Sequence, residues 1–147
     1  MDLVVAASLR VLDLLPPHKL PDVAAAALQA GFDSPSLRLL AGLLPVESWR
    51  SRELFDGALQ ELNLASVSKV EAARTYAKAV SIQIVAAELS PREGARRLWD
   101  ASVQVKDDGF HELDPFVYAA SKIDSRPAEA NSFEREIIEE ARRWVQR

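Results

Sequence analysis

SKVEAARTYAKAVSIQIVAAEL, residues 68–89, is the stretch whose reading decides the fold. It opens with Ser68 and, three residues on, Glu71. That is the spacing of a capping box, in which two side chains satisfy backbone N–H groups left free at a helix start. Val70, Ala73, Ala77, Val80 and Ile84 then recur at helical spacing and form one apolar stripe. Glu71, Arg74 and Lys78 fall on another side, which predicts a face open to water. Beyond Lys78 the polar strip ends. Ile82, Val85 and Leu89 stand where it would continue, so residues 79–87 are apolar nearly all round. A helix of that kind is normally buried, which predicts a central post for the domain. AVSIQIVAA is also rich in β-branched residues and partly alternates, so a strand is the competing reading.

Working outward, the rest of the chain also reads as helices. Asp2 caps a first helix that Pro16-Pro17 stops near Leu15. A second begins at Pro21 and ends at Gly31, whose freedom to take a left-handed conformation suits a helix end. Ser34-Pro35 starts a short third helix, and Pro45 breaks the chain after it. A fourth, over about 46–62, carries Phe55, Ala58, Leu59 and Leu62 as its stripe, with residues 63–67 as a connection to the helix at 68. After Leu89, Ser90-Pro91-Arg92-Glu93 combines a cap, a first-turn proline and a capping-box glutamate. Gly94 borders the apolar face of that helix, which predicts a close approach by a neighbour. Lys106 to Gly109 is a turn, Asp114-Pro115 a further cap and start, and residues 124–130 a loop. Asn131 and Glu134 predict the capped opening of the last helix. Expected core residues are Leu12, Leu40, Phe55, Leu59, Val80, Ile84, Leu98, Trp99, Phe116, Ile137 and Trp144.

These readings predict an all-α, single-domain bundle over residues 1–147, with about seven helices around a buried central helix at 68–89. The 147 residues fit one domain, and 48% hydrophobic residues with only 5 glycines favour helices. Net charge is −4, and bases are interspersed with acids, so nucleic-acid binding has no electrostatic support. The absence of cysteine excludes disulfides, thiolate catalysis and cysteine zinc sites, and suits a reducing cytoplasm. Arg10 and Asp13 interrupt the apolar run near the start, so no membrane span or secretory signal is expected.

Catalytic signatures are scarce. His18 and His111 belong to no metal-binding pattern, glycines do not cluster for phosphate, and no GxSxG elbow occurs. No cofactor or metal is expected. His111-Glu112-Leu113-Asp114 gathers the best set of polar groups, although Asp114 is already explained as a helix cap. With Tyr118 it is the segment an enzyme or small-ligand protein would use, His111 acting as acid and base. Glu93 and Arg97 have i,i+4 spacing and complete the candidate interaction residues: Glu93, Arg97, His111, Asp114 and Tyr118. Trp49, Trp99 and Trp144 lie near apolar stripes and are expected in the core; at the surface one of them would anchor a partner.

ELSPREGARRLW at 88–99, followed by Phe116, Ser121, Asp124 and Pro127 in an F-x4-S-x-x-D-x-x-P spacing, resembles small uncharacterised bacterial proteins. LPDVAAAALQAGFDSPSLRLLAGL at 20–43 is similar to the openings of actinobacterial proteins, some of them immunity-like. The resemblance implies a shared helical fold and carries over no catalytic residue. The expected function is a non-enzymatic protein-binding domain, immunity-like or accessory to a bacterial toxin system, whose partner is a basic toxin domain. A homodimeric helical scaffold and a ligand site at 111–118 are the alternatives.

Overall fold

The computed structural model describes residues 1–64 and 66–147. All regular structure among them is helical. Eight α-helices form: α1 (Leu3–Val11), α2 (Leu20–Gln29), α3 (Pro35–Ala41), α4 (Ser51–Glu61), α5 (Lys69–Val85), α6 (Pro91–Val105), α7 (Asp114–Ser125) and α8 (Ala130–Val145). Short 3-10 turns at 17–19, 45–50 and 127–129 precede α2, α4 and α8. The total is eight rather than about seven, and it matches the helix openings read one by one from the sequence. The expected 63–67 connection includes Ala65, which lies outside the described residues.

The chain divides into two compact units, Met1–Ser68 and Lys69–Arg147. In the first, α3 packs between α2 and α4, and α1 lies on α2. Leu9, Leu12, Leu20, Val23, Leu37, Leu40 and Phe55 are buried there. Arg10 of α1 reaches α4 through a two-pronged contact with Asp56, both N···O distances 3.1 Å. Asp2 accepts the Val4 N–H and Ser34 the Leu37 N–H, as their cap positions require.

Three helices of this unit end in the same way. At α2, Phe32 N–H reaches back to Ala27 O and Gly31 N–H to Leu28 O, with Gly31 at φ +102°. This is the Schellman arrangement. Asp13 (φ +58°) closes α1 likewise, and Asn63 (φ +57°) closes α4. LRVLDL at 9–14 and LQELNL at 59–64 thus share one ending, with Asp or Asn supplying the left-handed residue that short polar side chains tolerate.

The second unit holds four helices in sequence order. α5 packs on α6 and α8, α7 packs on α6 and α8, and α6 also meets α8. Ala73, Ala77, Val80 and Ile84 are buried, as the stripe predicts, and the competing strand does not form. The expectation that 79–87 is buried on every side is corrected. Ile82 is 49% exposed and Val85 42%. Two neighbouring helices cover only one side of α5, and the helix ends at Val85, with Ala87 (φ +57°) leading the chain away.

The start of α6 shows how close these helices run. Ser90 caps it by accepting the Glu93 N–H at 3.1 Å. A Cβ at Gly94 would stand 2.5 Å from Ile84 Cδ1 and 2.7 Å from Cγ1, so α5 and α6 approach where only glycine fits. Ion pairs link the helices outside: Arg92 to Glu134, Arg96 to Asp124, and Arg74 to Glu112. Glu140, buried on α8, is met by Arg143 at 3.0 Å, and Arg147 lies 4.0 Å above the Trp144 ring. Asn131 does not cap α8, because the 3-10 turn runs straight into Ala130; Glu134 pairs with Arg92 instead. Nine of the eleven expected core residues are buried, and Leu59 and Trp99 are half-buried.

Candidate functional site

The five residues marked in the sequence all lie in the second unit, in separate small groups. Glu93 and Arg97 pair along α6, with Arg97 Nε 3.2 Å from Glu93 Oε1. The Glu93 carboxylate therefore serves Arg97, and no capping box forms at Ser90. His111 Nδ1 and Asp114 Oδ2 lie 3.0 Å apart at the start of α7. Asp114 is the first residue of α7 rather than its cap: Leu113 holds the cap position, and the carboxylate turns to the imidazole. Glu112 is drawn the other way, to Arg74 at 2.8 Å. Tyr118 packs edge-on against Phe133 and carries the Lys122 ammonium 5.4 Å from its ring centre. His111 and Tyr118 are both well exposed. Among the described residues no group of three or more histidines, cysteines or acids could hold a metal ion. No described helix is long and apolar enough to cross a membrane.

The first unit holds a concave surface that the sequence reading missed. A pocket of about 760 Å³, open to solvent, is lined by Trp49, Arg50, Arg52, Glu53, Asp56 and Gln60, together with Ser36 and Gly57. Trp49 is 77% exposed, and Leu44, Val46 and Leu39 are exposed nearby in sequence. The expectation of a core position for Trp49 is thus corrected. The physical reason is local. Pro45 opens a 3-10 turn over 45–50, and α4 begins only at Ser51. Trp49 also stands six residues before Phe55, roughly 120° away from the buried stripe of α4. Arg52 and Glu53, one turn on from Trp49, are the signal for a wet face.

No family model, curated protein or solved structure matches this chain. The site is therefore read from its chemistry.

The charges around the pocket are largely matched within the unit. Arg50 meets Glu47 at 3.4 Å, Arg52 meets Asp13 at 3.9 Å, and Asp56 holds Arg10. Glu61, at the end of α4, accepts the Ser36 hydroxyl at 2.5 Å and the Ser36 N–H at 2.9 Å. The Ser36 hydroxyl, followed by the backbone N–H, holds the Glu61 carboxyl below its ordinary pKa. Asp33 is likewise lowered, chiefly by its hydrogen bond with Arg38. In the second unit, burial raises the Tyr76 phenol.

Proposed function

We propose that the chain is a non-enzymatic protein-binding domain, an immunity-like or accessory protein of a bacterial toxin system that works in the cytoplasm. One observation carries this reading: Trp49 lines an open pocket yet is 77% exposed, and Val46 and Leu44, close to it in sequence, are exposed as well. An indole in water forfeits the burial that normally stabilises it, and exposed aromatic anchors of this kind concentrate binding energy at interfaces. The net charge of −4 adds long-range attraction for a basic partner. Affinity capture with the wild type and with Trp49→Ala, joined to a growth test beside the neighbouring gene's product, tests the reading. The wild type should retain a basic protein that the variant loses. Capture unchanged by the substitution, or by an unrelated acidic protein equally well, would sink it.

A homodimeric scaffold is the second reading, favoured by Ile82 and Val85 on α5, which expose branched apolar side chains one turn apart. Sedimentation of the wild type against Ile82→Lys distinguishes it. A dimer that dissociates in the variant supports it, and a monomer at all concentrations rules it out.

A further inference from the structure

We propose that the Trp49 pocket receives a basic side chain, arginine or lysine, from the partner; this rests on the protein-binding reading and names what the partner presents. Two independent observations carry it. The first is the balance of charge. Of the four charged residues lining the pocket, Arg50, Arg52 and Asp56 each have an opposite charge within 4 Å, and Glu53 has none among the described residues. Glu61 adds a second carboxylate beside Ser36, with hydrogen bonds but no ion pair. Four of the five basic side chains in residues 1–68 are tied to acids, and the fifth, Lys19, does not line the pocket. Glu53 is thus the one lining charge left without an ion pair among the described residues, and a bound cation would meet it.

The second observation is the pattern of the aromatic rings. Arg96 lies 5.8 Å from the centre of the Trp99 ring, Lys122 5.4 Å from that of Tyr118, and Arg147 4.0 Å from that of Trp144. Each of these rings has a cation from its own chain over its face. Trp49, the most exposed of the tryptophans, has none among the described residues. Tryptophan has the most favourable face for a cation. A guanidinium or ammonium laid on Trp49 with its N–H groups towards Glu53 would gain both contacts, and its alkyl stem would cover part of the exposed indole.

N-acetyl-arginine amide is the probe, titrated into the full chain and followed by amide and indole resonances. N-acetyl-citrulline amide has nearly the same shape without charge, and N-acetyl-glutamate amide has the opposite charge. Saturable shifts at the Trp49 indole and at residues 50–57 with the arginine probe alone are expected. Glu53→Gln, an exposed change that leaves the fold intact, should weaken them about tenfold, and Trp49→Ala should remove them. Equal shifts with citrulline, preference for the glutamate probe, no saturable shift, or an unaltered Glu53→Gln titration would each overturn the proposal. The two readings fail separately. A captured partner lost by Trp49→Ala and fully kept by Glu53→Gln refutes the basic side chain alone, whereas one kept by both refutes the protein-binding surface itself.

Discussion

Gly94 of α6 lies so close to Ile84 of α5 that a methyl group on it would overlap the Ile84 side chain, at 2.5 Å from Cδ1 and 2.7 Å from Cγ1. Ile84 is buried and β-branched, so it has few rotamers in which to move aside. In an open helix Gly→Ala would gain about 1 kcal/mol of propensity. Here overpacking costs about 1–3 kcal/mol, and the overlap decides the sign. Gly94→Ala should lower the urea midpoint of the second unit, read from Trp99 and Trp144 fluorescence. Ile84→Val removes the Cδ1 that is struck first, at its own cost of about 1 kcal/mol. The double variant should therefore be more stable than the sum of the two single changes predicts. Simple additivity would show that the two helices part freely at this point.

Ala87 carries φ +57° where α5 ends, with Glu88 N–H returning to Gln83 O and Ala87 N–H to Ile84 O. In the first unit this position is filled by Gly31, Asp13 or Asn63, and in the second Lys106 (φ +55°) ends α6 in the same left-handed region. Alanine has neither glycine's freedom nor a polar side chain that tolerates the left-handed region, and pays roughly 1 kcal/mol for it. Ala87 is exposed, so replacing it loses no packing. Ala87→Gly should stabilise the second unit by about 0.5–1 kcal/mol, seen as a rise in Tm. A fall in Tm would show that the chain leaves α5 differently.

Much of this was legible in the sequence where the signal is local. Asp2, Ser34 and Ser90 cap their helices because a cap needs only its own next three residues. Gly31 and Gly94 were readable too, the one from its place after a periodic stretch, the other from its border position on an apolar face. What failed depended on partners distant in sequence. Ile82 and Val85 look buried until the number of neighbours around α5 is known. Asp114 has the spacing of a cap, but a histidine three residues away competes for its carboxylate. The candidate set at 93–118 followed from residue types alone, whereas the Trp49 pocket depends on α3 and α4 coming together to bring Ser36 beside Gly57 and Gln60.

Ser81 lies wholly buried in α5, and its hydroxyl meets no hydrogen-bond partner among the described residues. A buried hydroxyl left unsatisfied costs about 1–3 kcal/mol, and serine is a poorer helix former than alanine. Ser81→Ala removes both penalties and leaves a void of only one oxygen atom. The variant should gain about 1 kcal/mol in urea unfolding. A loss of similar size would mean that the hydroxyl is paired in solution.

Acid should loosen the first unit through Glu61. Its folded pKa is depressed, first by the Ser36 hydroxyl and then by the Ser36 N–H, so its contribution to stability is present above the unfolded pKa. That contribution is lost as pH falls below about 5 and through the lowered folded value. Asp33, lowered by Arg38, acts in the same direction. Glu61→Gln cannot ionise, and it keeps an oxygen that can accept from Ser36. Its stability should therefore be lower than that of the wild type at pH 7, and the gap should close as the pH is taken down towards 3. The Arg10–Asp56 contact and the other surface ion pairs are common to both proteins and cancel in the comparison. Urea midpoints for helix content, taken for both proteins across that range, check the prediction. Curves that stay parallel would remove Glu61 as a source of acid sensitivity.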